Sequence, residues 1–179
     1  MVMGNEAPGE GSPSDPLARV CALLNREGAR YVVVGAQACI LHGLVRTTED
    51  VDLLIESSDD NYERVLRALS GLADHAAAEL SVQDLREHVI VKVADEVEVD
   101  ICRQAWTVDY EEAKQSVQFA EIEGVRVPYA SLPVLIRSKS TYRDKDRADL
   151  DLLLRLLRSG AQVEKTGRAA NGESGERIN

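Results

Sequence analysis

The stretch VVVGAQACILHGLVRTTEDVDLLIE, residues 32–56, sets two carboxylates, Asp50 and Asp52, inside a run that otherwise reads as core. The apolar and β-branched residues around them predict a strand, and side chains two apart on a strand share a face. Asp50 and Asp52 therefore project to one side, while Val51 and Leu53 project to the other, into the core. Like charges this close raise each other's pKa, so the pair needs either open solvent or a cation. A solvated strand edge meets the first condition. A divalent metal meets the second, since Mg2+ takes carboxylate oxygens together with waters and substrate phosphates.

Other features favour the metal. Asp100 ends VEVDICR, a second alternating strand in which Val97, Val99 and Ile101 oppose Glu98, Asp100 and Cys102. If that strand lies beside the first, three carboxylates converge, the donor set of a two-metal phosphoryl-transfer site. Otherwise Asp100 pairs with Arg103 or another surface base. Gly35 and Ala36 stand between a predicted strand and a predicted helix, where a backbone without a Cβ can approach a phosphate. Arg137, Lys139, Arg143, Lys145 and Arg147 concentrate positive charge in an acidic chain. They form either a solvated connection between helices or the counter-charge of a triphosphate.

The chain has 179 residues, 44% of them hydrophobic, enough for one domain with a core. Its net charge of −10 argues against a general nucleic-acid or anionic-membrane binder. At 4% aromatic content a base-stacking platform is not expected. Cys21, Cys39 and Cys102 are far apart in apolar runs and read as buried free thiols of a reduced, cytoplasmic setting. The N-terminus lacks the basic and apolar regions of a signal peptide, and no run reaches membrane-span length.

Residues 1–14, rich in Gly, Pro and Ser, are expected to be disordered, as is the tail 161–179; the folded unit is 15–160. Asp15 and Pro16 start a helix that Gly28 ends. Strands follow at RYVVVGA and DVDLLIE, with a brief helix between. Asp59 or Asp60 caps a helix to about Ser70. Hairpins are expected with strands near 88–93 and 97–102, and around a Glu123-Gly124 turn. Two C-terminal helices close the pattern, the last ending at Gly160. The fold class is α+β, a mixed sheet flanked by helices. His42 is expected to pack between the short helix and the Asp50–Asp52 strand, and Trp106 beside the sheet edge.

VGAQACILHGLVRTTEDVDLLI resembles the signature of the nucleotidyltransferase superfamily, the polymerase-β-like fold: a hydrophobic residue, Gly, Gly or Ser, a spacer, then Asp-x-Asp. The segment is especially similar to the bacterial group that includes AbiEii-type toxins and related small nucleotidyltransferases. There a Lys-containing helix and an R-x-K-D-x-x-D helix follow the sheet. SKSTYRDKDRADLDLL carries Lys139, Arg143, Lys145, Asp146 and Asp149 in matching places. The resemblance spans residues 30–158.

The resemblance implies a Mg2+- or Mn2+-dependent enzyme moving a nucleoside monophosphate from an NTP to a hydroxyl. The acceptor would be a tRNA, a protein or a small molecule, with an antitoxin-like partner as one association. Asp50, Asp52 and Asp100 would hold metal, with Asp100 activating the acceptor hydroxyl or completing a metal shell. Gly35 and the Ala36 amide would contact the triphosphate. Lys139 would neutralise phosphate, Lys145 or Asp149 would shape the nucleotide pocket, and Arg46 and Thr48 would brace the loop before Asp50. Ala36 departs from the family's Gly or Ser. That leaves a second reading open, a catalytically degenerate fold used as a binding module.

Overall fold

The computed structural model describes the backbone of residues 11–141 and 144–170, and the side chains of 11–141 and 146–160. The chain runs α1 (Pro16–Arg26), β1 (Tyr31–Val33), α2 (Gly35–Leu41), β2 (Asp50–Ile55) and α3 (Asp59–Leu69). A 3-10 turn (Ala76–Glu79) and α4 (Val82–Glu87) lead to the hairpin of β3 (Ile90–Ala94) and β4 (Glu98–Cys102). A two-stranded ribbon, β5 (Gln104–Ala105) and β6 (Val108–Asp109), precedes α5 (Tyr110–Ala113). A second hairpin, β7 (Gln118–Ile122) and β8 (Val125–Tyr129), leads to α6 (Leu132–Lys139) and α7 (Asp144–Ala170).

The six-stranded sheet has the order β3-β4-β2-β1-β8-β7. β2 runs parallel to β4 and antiparallel to β1, and β1 runs parallel to β8, so the sheet is mixed. Val51, Leu53 and Ile55 of β2 are fully buried in one cluster with Leu17, Val20 and Leu24 of α1 and Val65 and Leu69 of α3. That burial supplies the driving force that fixes the register of β2: a one-residue slip would put Asp50 and Asp52 into the core.

Local chemistry explains the boundaries. Asp15 caps α1 through the Ala18 N–H, Pro16 sits in the first turn, and Gly28 leaves the helix at φ +65°. α3 is capped by Ser58, whose hydroxyl accepts from the Asn61 N–H; the expected caps, Asp59 and Asp60, are its first two helical residues, where carboxylates suit the helix dipole. Glu123 and Gly124 both have positive φ, the geometry that a two-residue hairpin turn needs. Gly160 does not end the last helix. α7 continues to Ala170, because one interior glycine costs only about 1 kcal/mol and Ala, Gln, Glu and Lys follow it. Ser14, before α1, is tied down by its N–H donating to Glu123 Oε2 at 2.6 Å.

Cys21, Cys39 and Cys102 are free and buried, and burial pushes the Cys39 thiol up to about 11. Among the described residues no helix is long and apolar enough to cross a membrane.

Candidate active site

The parallel register of β2 and β4 builds the centre. Asp52 sits directly across from Asp100, and Asp50 across from Glu98. The β3–β4 register then sets Lys92 across from Asp100. Cross-strand partners share a face, so Lys92, Asp100 and Asp52 form one row over three strands, at roughly 4.8 Å per strand. Asp52 and Asp100 of this row border a cavity of about 240 Å3. Of the residues singled out in the sequence, Gly35, Ala36, Arg46, Thr48, Asp50, Asp52, Asp100, Lys139 and Asp149 all line it. The Lys145 and Arg143 side chains lie outside the described residues.

Each carboxylate is held differently. Thr48 donates its hydroxyl to Asp50. The Asp52 pKa is pushed up to about 6, first by burial and then by Asp50 and Asp100; Lys139 and the Ala36 backbone only partly offset this. Asp100 Oδ1 has the Lys92 ammonium 3.1 Å away, but off line for a hydrogen bond, so that buried oxygen has a counter-charge and no hydrogen-bond partner. Arg103, an expected partner for Asp100, donates instead to the His88 carbonyl.

Gly35 follows from Asp52. Its φ is +62°, and a Cβ built there would stand 1.9 Å from Asp52 Oδ2. Only glycine allows both the backbone conformation and the close approach. The Ala36 backbone favours the charged form of Asp52, a carboxylate being the same acceptor type as a phosphate oxygen.

The opposite wall comes from α6 and α7, which pack on each other. Lys139, only 13% exposed, lies 3.0 Å from Asp149 Oδ2 and 3.3 Å from Asp146 Oδ1. Burial pulls its pKa down, but the two acids outweigh burial and hold the ammonium above its usual range. Arg46 reaches from the β2 loop to Asp149 Oδ2 at 2.5 Å, and Thr141 donates to Asp146. Arg46 and Thr48 thus tie the second half of this loop to Asp149 and Asp50. Of the basic stretch, Lys139 turns inward, Arg137 pairs with Glu112, and Arg147 is exposed. His42 is structural: its Nε2 lies 2.8 Å from the Ala130 carbonyl and its ring packs edge-on against Tyr129.

Sequence reasoning missed Lys92 and gave Trp106 no part in the site. Trp106 lies at the tip of the β5–β6 ribbon and lines the cavity, half-exposed, as does Ile90 of the edge strand β3. Two residues per strand are too few to show periodicity, so the ribbon left no local signal.

Asp50, Asp52 and Asp100 are hard oxygen donors of the kind that a divalent cation takes; Asp100 Oδ1 makes no hydrogen bond, and burial with Asp50 and Asp100 raises the Asp52 pKa beyond what Lys139 offsets. Among the described residues no group of three or more His, Cys, Asp or Glu side chains stands ready to hold a metal ion.

No protein-family model and no curated protein matches the sequence. Two solved structures are similar to it. One, a candidate nucleotidyltransferase from Thermotoga maritima, is 16% identical, with 87% of this chain and 90% of that one covered and a TM-score of 0.45. The other, an antigenic nucleotidyltransferase-like protein from Paracoccidioides brasiliensis, is 21% identical, with 80% and 78% covered and a TM-score of 0.46. Both neighbours are described as nucleotidyltransferase-type proteins.

Proposed function

We propose that this protein is a nucleotidyltransferase, using Mg2+ or Mn2+ to move a nucleoside monophosphate from an NTP to an acceptor hydroxyl. The observation that carries this reading is the row Asp52–Asp100 beside Asp50, lining one small cavity together with Gly35 and Lys139. Asp50, Asp52 and Asp100 would hold the cation. When bound, it would neutralise their charge and that of the phosphates. Lys139 offers the phosphates a positive charge, and Gly35 lets the chain backbone come close to them. Asp100 accepts the proton of the acceptor hydroxyl as its oxygen bonds to the α-phosphorus. The bond from that phosphorus to the bridging oxygen breaks, and pyrophosphate leaves. Catalysis of this kind is mostly positioning and charge compensation.

The acceptor belongs to a tRNA, a protein or a small molecule. A net charge of −10 favours a protein or a cationic small molecule over RNA. One observation favours the binding-module reading: Lys139 is already engaged by Asp146 and Asp149.

A single experiment separates the two. The protein is incubated with cell lysate, Mg2+ and each NTP labelled at the α- or the γ-phosphate. Covalent transfer of the α label, but not of the γ label, is expected, and Asp52→Asn should abolish it. NTP binding without α transfer would establish the binding module. Transfer of the γ label would replace the proposed reaction with a kinase-type one.

A further inference from the structure

Trp106 is the chain's sole tryptophan and sits in an unusual place. It is the first residue of the two-residue turn between β5 and β6, with φ +58°. A bulky residue in the left-handed region is strained, and such strain persists only where the surroundings hold it. Here the ribbon is held from below by Val108, which is fully buried. From the side, Arg137 reaches Thr107 Oγ1 at 3.5 Å while pairing with Glu112. The result is an indole 45% exposed on the wall of the carboxylate cavity.

The rest of that cavity is mostly polar, lined by five acids together with Arg46 and Lys139. A second large apolar side chain is open to it. Ile90, 57% exposed, stands across from Cys102 on the edge strand and so on the same sheet face as Asp100. A cavity lined by cations and carboxylates together with a half-exposed indole and an aliphatic side chain fits a molecule of matching polarity. That molecule has phosphates at one end and a flat, apolar π-face at the other.

We propose that Trp106 is the surface on which the nucleobase of the NTP stacks, with Ile90 completing the apolar wall. This rests on the nucleotidyltransferase reading and adds to it the base-binding part of the site. Stacking on an aromatic face tolerates any base, because every base has a π-face. Selectivity then follows ring size, and purine triphosphates bind more tightly than pyrimidine ones. The low aromatic content of the chain does not oppose this, since one ring in place is enough.

The test uses the full chain and the fluorescence of its one tryptophan. With Mg2+ present, ATP and GTP should quench the emission saturably, UTP should do so more weakly, and inorganic tripolyphosphate should bind by calorimetry without comparable quenching. Trp106→Ala should weaken ATP binding about tenfold or more and leave tripolyphosphate binding unchanged, and Trp106→Phe should restore most of the loss. If ATP binds by calorimetry with no change in emission and with equal affinity to Trp106→Ala, the stacking proposal is overturned and the nucleotidyltransferase reading stands. Quenching by tripolyphosphate equal to that by ATP also overturns it. If neither ATP nor tripolyphosphate binds, the reading of the whole site fails, and this proposal with it.

Discussion

Two groups of acids line the same cavity, and the fold treats them in opposite ways. On α7, Asp146 is completely buried and Asp149 nearly so, yet Lys139, Arg46 and Thr141 surround them. On β2 and β4, burial and the neighbouring Asp50 and Asp100 push the Asp52 pKa up to about 6, and Asp100 Oδ1 has the Lys92 ammonium beside it but no hydrogen bond. Buried carboxylates that serve structure are compensated within the chain, because a buried charge without a partner costs several kcal/mol. Carboxylates left short of partners are the ones whose compensation comes from outside, and a strongly raised pKa in a cleft is a common mark of a functional site.

The sharpest way to break this contrast is Asp52→Asn. Transfer activity should fall by about 10^3-fold or more, as expected when a metal-type ligand is lost. Stability should move the other way. The Asp52 pKa is raised from 3.8 to about 6, so between those pH values the folded state holds more protons than the unfolded one. Stability therefore drops as pH rises from about 4 to 6, and the full penalty is present above 6. In EDTA at pH 8, Asp52→Asn should be the more stable protein by about 2–3 kcal/mol, an advantage that disappears below pH 4. Denaturant titrations at the two pH values measure it. A variant less stable than wild type at pH 8 would mean that Asp52 is already compensated, and the contrast would collapse.

Asp146→Ala is the mirror experiment. It removes a carboxylate that Lys139 and Thr141 both use, and it leaves a cavity at a completely buried position. A loss of about 2–3 kcal/mol is expected at every pH from 6 to 8, with no gain in EDTA. Opposite signs for Asp52→Asn and Asp146→Ala in the same titration would establish the difference between the two groups. Equal signs would remove it.

Much of this arrangement was legible in the sequence, for identifiable reasons. A period of two gave Asp50 and Asp52 a common face, and the buried positions Val51, Leu53 and Ile55 enforce that face. Gly35 was legible as a break between strand and helix, but not the reason only glycine works there. That reason is the Asp52 carboxylate, seventeen positions away and brought in by the antiparallel β1–β2 pairing. Asp100 was a conditional expectation, since strand adjacency is a long-range fact; the parallel β2–β4 pairing supplies it. Lys92 was missed because the expected hairpin, with strands near 88–93 and 97–102, was shifted by a residue. The turn centred on Glu96 puts Ala94 across from Glu98 and hence Lys92 across from Asp100. Trp106 had no pattern around it to read.

Lys139 stands between the two groups, ion-paired to one and lowering the Asp52 pKa in the other. Lys139→Ala should weaken NTP binding about 10- to 150-fold, the worth of one charge-assisted contact of about 1.5–3 kcal/mol. It should also destabilise the fold, because Asp146 loses its ammonium. Calorimetric titration with a non-hydrolysable ATP analogue, alongside a melting curve, separates the two effects. Destabilisation with unchanged affinity would assign Lys139 wholly to the structural group.

Lys92 offers the smallest effect and the finest discrimination. It lies on the edge strand, half-exposed, between Glu98 at 3.2 Å and Asp100 at 3.1 Å, and both acids hold its ammonium above the usual range. It occupies the place beside Asp100 Oδ1 that a divalent cation would contest. An ion pair this exposed is weak, because water and salt screen it. If Lys92 competes with the cation, Lys92→Met should tighten Mn2+ binding by no more than about fivefold, and raising the salt concentration should shrink the difference. Mn2+ titration followed by electron paramagnetic resonance reads this without NTP or acceptor. Weaker Mn2+ binding in the variant would mean that Lys92 instead orients Asp100 towards the cation. Asp100 would then belong with the compensated acids of α7, and the contrast would rest on Asp52.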